Sequence, residues 1–226
     1  MHAPPPRQVL EPGLQIACHR HDGAYLTVVL RGSYEEAGEH GRRRLGPGDV
    51  ARHGMFSCHR NSIAASGAVV LNLPAAGVGG VFGRLDDPDA VAAVAVDDPR
   101  AAAALAARQL VTFGPQILDW PDELAAALAA DPQISLSDWA ERRGLAPETL
   151  SRGFGRTFGL PPKRFRHEVK MRRALAGTIE TAAPLAQVAL DAGFADQAQM
   201  SRAISALTGA SPGVWRRRSS GDKTAA

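Results

Sequence analysis

No apolar run in this chain reaches 18 residues, so the sequence excludes a transmembrane helix. The first residues, Met1-His2-Ala3-Pro4-Pro5-Pro6, lack the basic start and apolar centre of a secretory signal, and a cytoplasmic protein is expected. Cysteine is scarce. Cys18 and Cys58 alone make no disulfide scaffold and suit a reducing compartment. Carboxylates are also sparse around the histidines of the N-terminal half, and none is placed to act as a catalytic base.

The charge is unevenly spread. Residues 132–226 hold 15 Lys and Arg against 8 Asp and Glu, a net charge of +7, whereas residues 1–131 carry −4. A basic C-terminal module joined to an acidic partner suits a polyanion-binding half and a sensing or dimerising half. An ordinary solvated surface can give the same balance, so the charge gains meaning only beside a motif.

That motif occurs twice. In the first copy Ala140 faces inward on a short helix, Gly144 makes the turn, Leu150 anchors a second helix and Arg152 leaves its outer face. In the second copy the same parts are Ala189, Gly193, Met200 and Arg202, and the two turn glycines lie 49 residues apart. Two such units let one polypeptide place recognition helices in successive major-groove segments, roughly 34 Å apart. A long helix from Pro162 to about Gly177 joins them, with Phe165, Val169 and Leu175 along its apolar stripe. Basic residues occupy much of its remainder, and Ser211-Pro212 opens a last short helix.

From Ile134 to Arg217 the chain resembles the DNA-binding domain of the AraC/XylS transcription-regulator family. The resemblance is carried by Ser151-Arg152-Gly153-Phe154, Phe158 to Pro162, Arg172 to Ala174, Ala189, Gly193 to Asp196, Ser201-Arg202, Gly209 to Pro212 and Trp215-Arg216. Ala146, Met200, Ile204 and Trp215 depart from the usual family residues; the first loses a helix cap and the others keep apolar bulk. Promoter DNA is the implied partner, with RNA polymerase as a second if the protein activates. Base-reading candidates are Glu148, Thr149, Ser151, Arg152 and Arg156 on the first recognition helix, and Gln197, Gln199 and Arg202 on the second. Arg can bond both acceptors of a guanine edge, Gln both polar atoms of adenine, and Glu the cytosine amine. Gln199 has a competing use, since Asp196-x-x-Gln199 is a capping-box arrangement. Arg156, Lys163, Arg164 and Arg216 suit phosphate contacts, which orient without reading sequence.

The N-terminal half reads as β structure from Leu14 to about Leu73, with a run Tyr25–Leu30 ending at Arg31-Gly32, a tight turn at Gly46-Pro47-Gly48-Asp49 and a strand Ala68–Leu73 stopped by Pro74. Six of the seven histidines fall within the first 60 residues. The spacing Gly13-x5-His19-x-His21-x3-Tyr25-x6-Gly32, followed by Gly46-Pro47-Gly48 and His59-Arg60-Asn61, resembles the two motifs of a small cupin β-barrel. Tyr25 stands where metal-binding cupins have a Glu, so the resemblance implies a ligand set of His19, His21 and His59, one carboxylate short. Zinc or another divalent ion is the implied cofactor, with Cys58 as a candidate fourth ligand; the same histidines suit the wall of an organic-effector pocket. Buried inert thiols are the ordinary alternative for Cys18 and Cys58, and His40, His53 and Arg42 to Arg44 read as exposed hairpin residues.

Arg100–Val111 and Asp122–Ala130 are helical by propensity, with Leu105, Leu110, Leu124 and Leu128 offering either local core or a homodimer contact. The expected fold class is α+β: an N-terminal cupin-like β-barrel followed by an all-α DNA-binding domain with two helix-turn-helix motifs. The divisions are 1–83 for the sensor, 84–131 for a helical linker or dimerisation segment, 132–218 for the DNA-binding domain and 219–226 for a tail. The expected function is a ligand- or metal-responsive regulator and not an enzyme or a membrane protein. The alternatives are a regulator whose cupin only dimerises, and a metal-cupin enzyme tethered to a DNA-binding domain.

Overall fold

The computed structural model describes residues 4–222. Its N-terminal part is an antiparallel sheet organised by two long strands, β3 (Tyr25–Gly38) and β6 (Cys58–Pro74), which pair along most of their length. Both strands bend in their middle. The register shifts on either side of Gly32, whose φ is +69°, and a Cβ there would stand 2.0 Å from the Gly67 carbonyl oxygen. Only glycine meets both demands, so Gly32 kinks the strand where a stop is expected from sequence.

The bend divides the sheet into two lobes. In one, β1 (Arg7–Leu10) pairs with the C-terminal half of β6, and the first half of β3 leads to β5 (Asp49–His53), β7 (Val81–Arg84) and the short β8 (Val111–Thr112). In the other, β2 (Gln15–Arg20) pairs with the N-terminal half of β6, and β4 (Gly41–Leu45) pairs with the second half of β3. Leu10, Val29, Tyr34, Leu45, Ile63, Val70 and Phe82 fill the interior. Among the described residues the pairings do not close a ring, since the path ends at β1 and β8. The expected cupin-like barrel is therefore corrected to an open sheet folded around its core.

Helices α1 (Pro88–Val94) and α2 (Pro99–Gln109) cover the outer face of this sheet. Asp87 and Asp98 cap them, and a proline follows each cap at a position that needs no N–H. Val91, Ala102 and Ala106 pack on Leu26, Val28, Val50 and Leu73, with Leu105 and Leu110 partly buried beside them. Residues 25–29 of β3 are thus buried on both faces, and the one polar residue in the run, Thr27, donates its hydroxyl to Asn72 Oδ1 at 2.8 Å.

Helix α3 (Trp120–Ala130) packs elsewhere. Its Leu124 and Leu128 lie fully buried among Trp139, Leu150, Phe154, Phe158 and Phe165 of α4 (Leu136–Arg142), α5 (Pro147–Phe158) and α6 (Pro162–Glu180). The segment read as a linker thus divides between two cores. A further cluster joins α6 to α7 (Leu185–Asp191), α8 (Gln197–Thr208) and α9 (Pro212–Asp222) through Met171, Val188, Phe194, Met200 and Ile204. The two helix-turn-helix units therefore share α6 as their common strut. The expected tail is helical as far as Asp222, and residues 223–226 lie outside the described residues. Among the described residues no helix is long and apolar enough to cross a membrane.

Candidate nucleic-acid interface and histidine cavity

Both helix-turn-helix units are built alike. Ala140 and Ala189 are buried where the helices of each unit meet, and Gly144 and Gly193 turn with φ of +61° and +85°. Ser135 caps α4 by accepting from the Asp138 N–H. Leu150 and Met200 hold α5 and α8 inward. That orientation leaves Glu148, Thr149, Ser151, Arg152 and Arg156 exposed on α5, and Gln197, Gln199 and Arg202 exposed on α8. All eight residues singled out from sequence thus face outward.

Gln199 is partly committed. The Asp196 carboxylate accepts from the Gln199 N–H at 2.6 Å, and Gln199 Oε1 accepts from the Ala195 N–H at 3.0 Å. Its amide N–H groups stay available to an acceptor. Much of the basic charge on α6 is turned inward. Arg166 and Arg173 donate to carbonyls of Ile134 and of Ala129 and Ala130, and Lys170 donates to Gly193 O at 2.6 Å. Arg164 pairs with Glu168 at 3.0 Å. Charge counting therefore overstates the cationic surface offered to a polyanion.

The histidines behave otherwise. His19 and His59 are register partners across β2 and β6, and His21 lies on the same side of β2 as His19. Candidate ligand atoms of the three lie within 4.8 Å of one another. They line a cavity of about 270 Å³ with Tyr25, Tyr34, His53 and Asn72. The Tyr25 hydroxyl lies 3.4 Å from His59 Nε2, and burial, followed by the nearby Glu36 charge, pushes its pKa above the usual phenol range.

Sequence reasoning misses two residues here. His53 is not exposed: it is 3% accessible, and its Nε2 lies 3.0 Å from both carboxylate oxygens of Glu36. Burial lowers His53 to about 3, so its neutral ring donates Nε2–H into the carboxylate fork. Burial raises Glu36 against the pull of His59, His19 and His21. Strand alternation could have found Glu36, because it shares a face with Tyr34, but reading the strand as ending at Gly32 hides it. The expectation that the histidine set is one carboxylate short is corrected by Glu36.

Cys58 is not a fourth ligand. Its sulfur is joined to that of Cys18, with the Cα atoms 6.2 Å apart, and neither described cysteine is free. Each cysteine precedes a cavity histidine and so projects from the opposite face of its strand, which also corrects the expectation of separate inert thiols. The remaining donors fit a divalent ion. Imidazole nitrogens converge with a carboxylate nearby, and Nδ1 of both His53 and His59 is buried with no hydrogen-bond partner among the described residues.

The sheet is clamped to the helices. Arg20, between His19 and His21 in sequence, pairs with the buried Glu168 of α6. Glu39 meets Arg172 at 3.2 Å, and Arg172 Nη1 lies 3.0 Å from His40 Nδ1. Arg60 donates to the carbonyls of Arg156 and Thr157 at the C-terminus of α5, where a cation complements the helix dipole. The Phe56 and Trp215 rings meet edge to face at 5.8 Å. His40, through Arg172, and Arg42, which donates to Asp122 of α3, are therefore junction residues, which corrects their reading as exposed hairpin positions.

Residues 139–218 match the family described as "Helix-turn-helix domain". That match takes in both helix-turn-helix units. Among solved structures, the chain is similar to the C-terminal domain of AraT, a response regulator from Geobacillus stearothermophilus, at 22% identity and a TM-score of 0.40, covering 43% of this chain and 84% of that one. It is also similar to ToxT from Vibrio cholerae with an unsaturated fatty acid bound, at 10% identity and a TM-score of 0.43, covering 93% of each chain. The C-terminal domain of the response regulator yesN from Fusobacterium nucleatum is similar at 21% identity and a TM-score of 0.39, over 42% of this chain and 94% of that one. No curated protein matches the chain.

Proposed function

We propose that the protein is a sequence-specific transcription regulator whose N-terminal cavity senses a divalent metal ion or a small molecule and whose paired helix-turn-helix units bind promoter DNA. The observation that carries this reading is the matched exposure of Arg152 and Arg202 on two helices braced by one strut, α6. Zinc is the first candidate metal. When bound it would draw imidazole ligands together and hold them neutral. His19 and His21 would then fix the end of β2, and Arg20 would carry that constraint to Glu168 on α6. By linkage, an ion that favours one DNA-binding state must be favoured in turn by DNA. A cytoplasmic location, a homodimer and contact with RNA polymerase belong to the same reading.

Binding of the full chain to duplex DNA across a salt series tests it. Arg152, Arg156, Lys163 and Arg202 are exposed, while several α6 cations are engaged within the protein. A log–log slope of about −4 is therefore expected, where neutralising as many phosphates as the net charge of +7 on residues 132–226 would give about −6. Salt-independent binding, or none, would contradict the reading.

A further inference from the structure

We propose that Glu36, His53 and His59 form a divalent-cation site at the inner end of the cavity, distinct from the His19–His21–His59 group and sharing His59 with it. The inference rests on reading the cavity as a metal sensor and assigns the ion to residues outside the motif spacing.

Three observations carry it. One ligand atom from each of the three residues lies within 4.8 Å of the others. The 3.0 Å between His53 Nε2 and the Glu36 oxygens, a hydrogen bond in the metal-free protein, is also close to the edge of a coordination polyhedron with bonds of roughly 2.0–2.2 Å, and Nε2 becomes a ligand atom when the ring proton sits on Nδ1 instead. Burial is the second. Glu36, His53 and His59 are 3%, 3% and 4% accessible, whereas His19 and His21 are only half-buried. The third is charge. Among the described residues Glu36 forms no ion pair with Lys or Arg, and its side-chain hydrogen-bond partner is the His53 ring. A buried carboxylate in such surroundings is costly, and a divalent ion supplies the missing positive charge.

His59 decides the stoichiometry. A neutral imidazole has one lone pair for a metal, so His59 serves either the inner or the outer group. The inner group contains the anion and the outer group has none. One ion per chain, seated on the inner group, follows. Two nitrogens and one oxygen with open positions suit a first-row divalent ion.

Equilibrium dialysis of the full chain with Zn²⁺ alone, repeated with Co²⁺ to record its visible ligand-field bands, tests the assignment. One ion per wild-type chain is expected. Removal of an outer-shell partner commonly costs 10–100-fold, so loss of a ligand in Glu36→Gln or His53→Gln should weaken binding by about 100-fold or more. His21→Ala should stay within a few-fold, with the cobalt bands retained. A second readout separates a ligand from a structural residue: metal-free Glu36→Gln should melt no lower than metal-free wild type, because it removes a buried charge, yet gain less on adding Zn²⁺. A lower metal-free melt would mark Glu36 as structural and overturn the proposal. If His21→Ala loses the ion and Glu36→Gln keeps it, the outer group is the site, and the metal-sensing reading survives without this proposal. Equal losses in both variants would mean one ion drawn from both groups, which overturns a separate inner site. No stoichiometric metal in the wild type would remove the proposal and the metal-sensing reading together, leaving DNA binding to be judged by its own salt series.

Discussion

Arg42 of the sheet grips Asp122 of α3 with two hydrogen bonds, Nε to Oδ1 at 3.1 Å and Nη2 to Oδ2 at 2.7 Å. Burial works against the charged Asp122, but the bonds from Arg42 and from the backbone of Leu118 and Asp119 outweigh it and hold the carboxyl below its usual range. This pair fastens the sheet to the helical core. Arg42→Ala leaves a buried carboxylate short of its main partner and is expected to lower stability by roughly 2 kcal/mol in urea titrations. An unchanged unfolding midpoint would show that the pair does not hold the junction.

The packing of α3 makes a separate claim. Leu128 is fully buried against the first helix-turn-helix unit, so Leu128→Ala should cost about 2–5 kcal/mol through lost burial and the cavity left behind. A fragment beginning at Pro132 lacks Leu124 and Leu128 and should unfold more readily than one beginning at Gln116. Equal melting of the two fragments would place α3 outside the DNA-binding core.

The junction also titrates. Burial pushes Glu39 up to about 7 against the pull of Arg172, with Glu168 adding to the rise. The folded protein therefore binds a proton more readily than the unfolded chain, whose carboxyl titrates near 4.5. The stabilisation is full below about 4.5 and is lost as pH rises through about 7. Relative to Glu39→Gln, the wild type should lose stability across that window and then level off. Chemical denaturation of both proteins from pH 4.5 to 8 checks the sign; a constant difference would mean that Glu39 keeps its ordinary affinity for protons.

The helices were more legible in the sequence than the sheet, for a physical reason. Asp98-Pro99, Asp196, the glycines after the helices and the apolar period of α6 act within a few residues of chain, so sequence reasoning places these elements closely. The exposure of Arg152 and Arg202 follows from the same local periodicity. The cavity depends on distant partners. Glu36 is buried because β3 passes through Gly32 and pairs with β6, and His53 is buried because its register partner is Tyr25. Alternation from Tyr34 puts Glu36 on the inner face once the strand is carried through Gly32, but no local pattern around His53 records its pairing. The joining of Cys18 to Cys58 and the inward turn of Arg166, Lys170 and Arg173 likewise need contacts between elements far apart in sequence.

The central claim is that two recognition helices read DNA, and one measurement tests it most directly: selection of bound sequences from a random duplex library by the full-length wild type, Arg152→Ala and Arg202→Ala. The wild type is expected to enrich two half-sites about 10 base pairs apart. Each variant should bind its selected duplex about 1–3 kcal/mol more weakly and lose preference at one position, Arg152→Ala in one half-site and Arg202→Ala in the other. Enrichment of no sequence by the wild type, or unchanged preferences and affinities in both variants, would contradict the account.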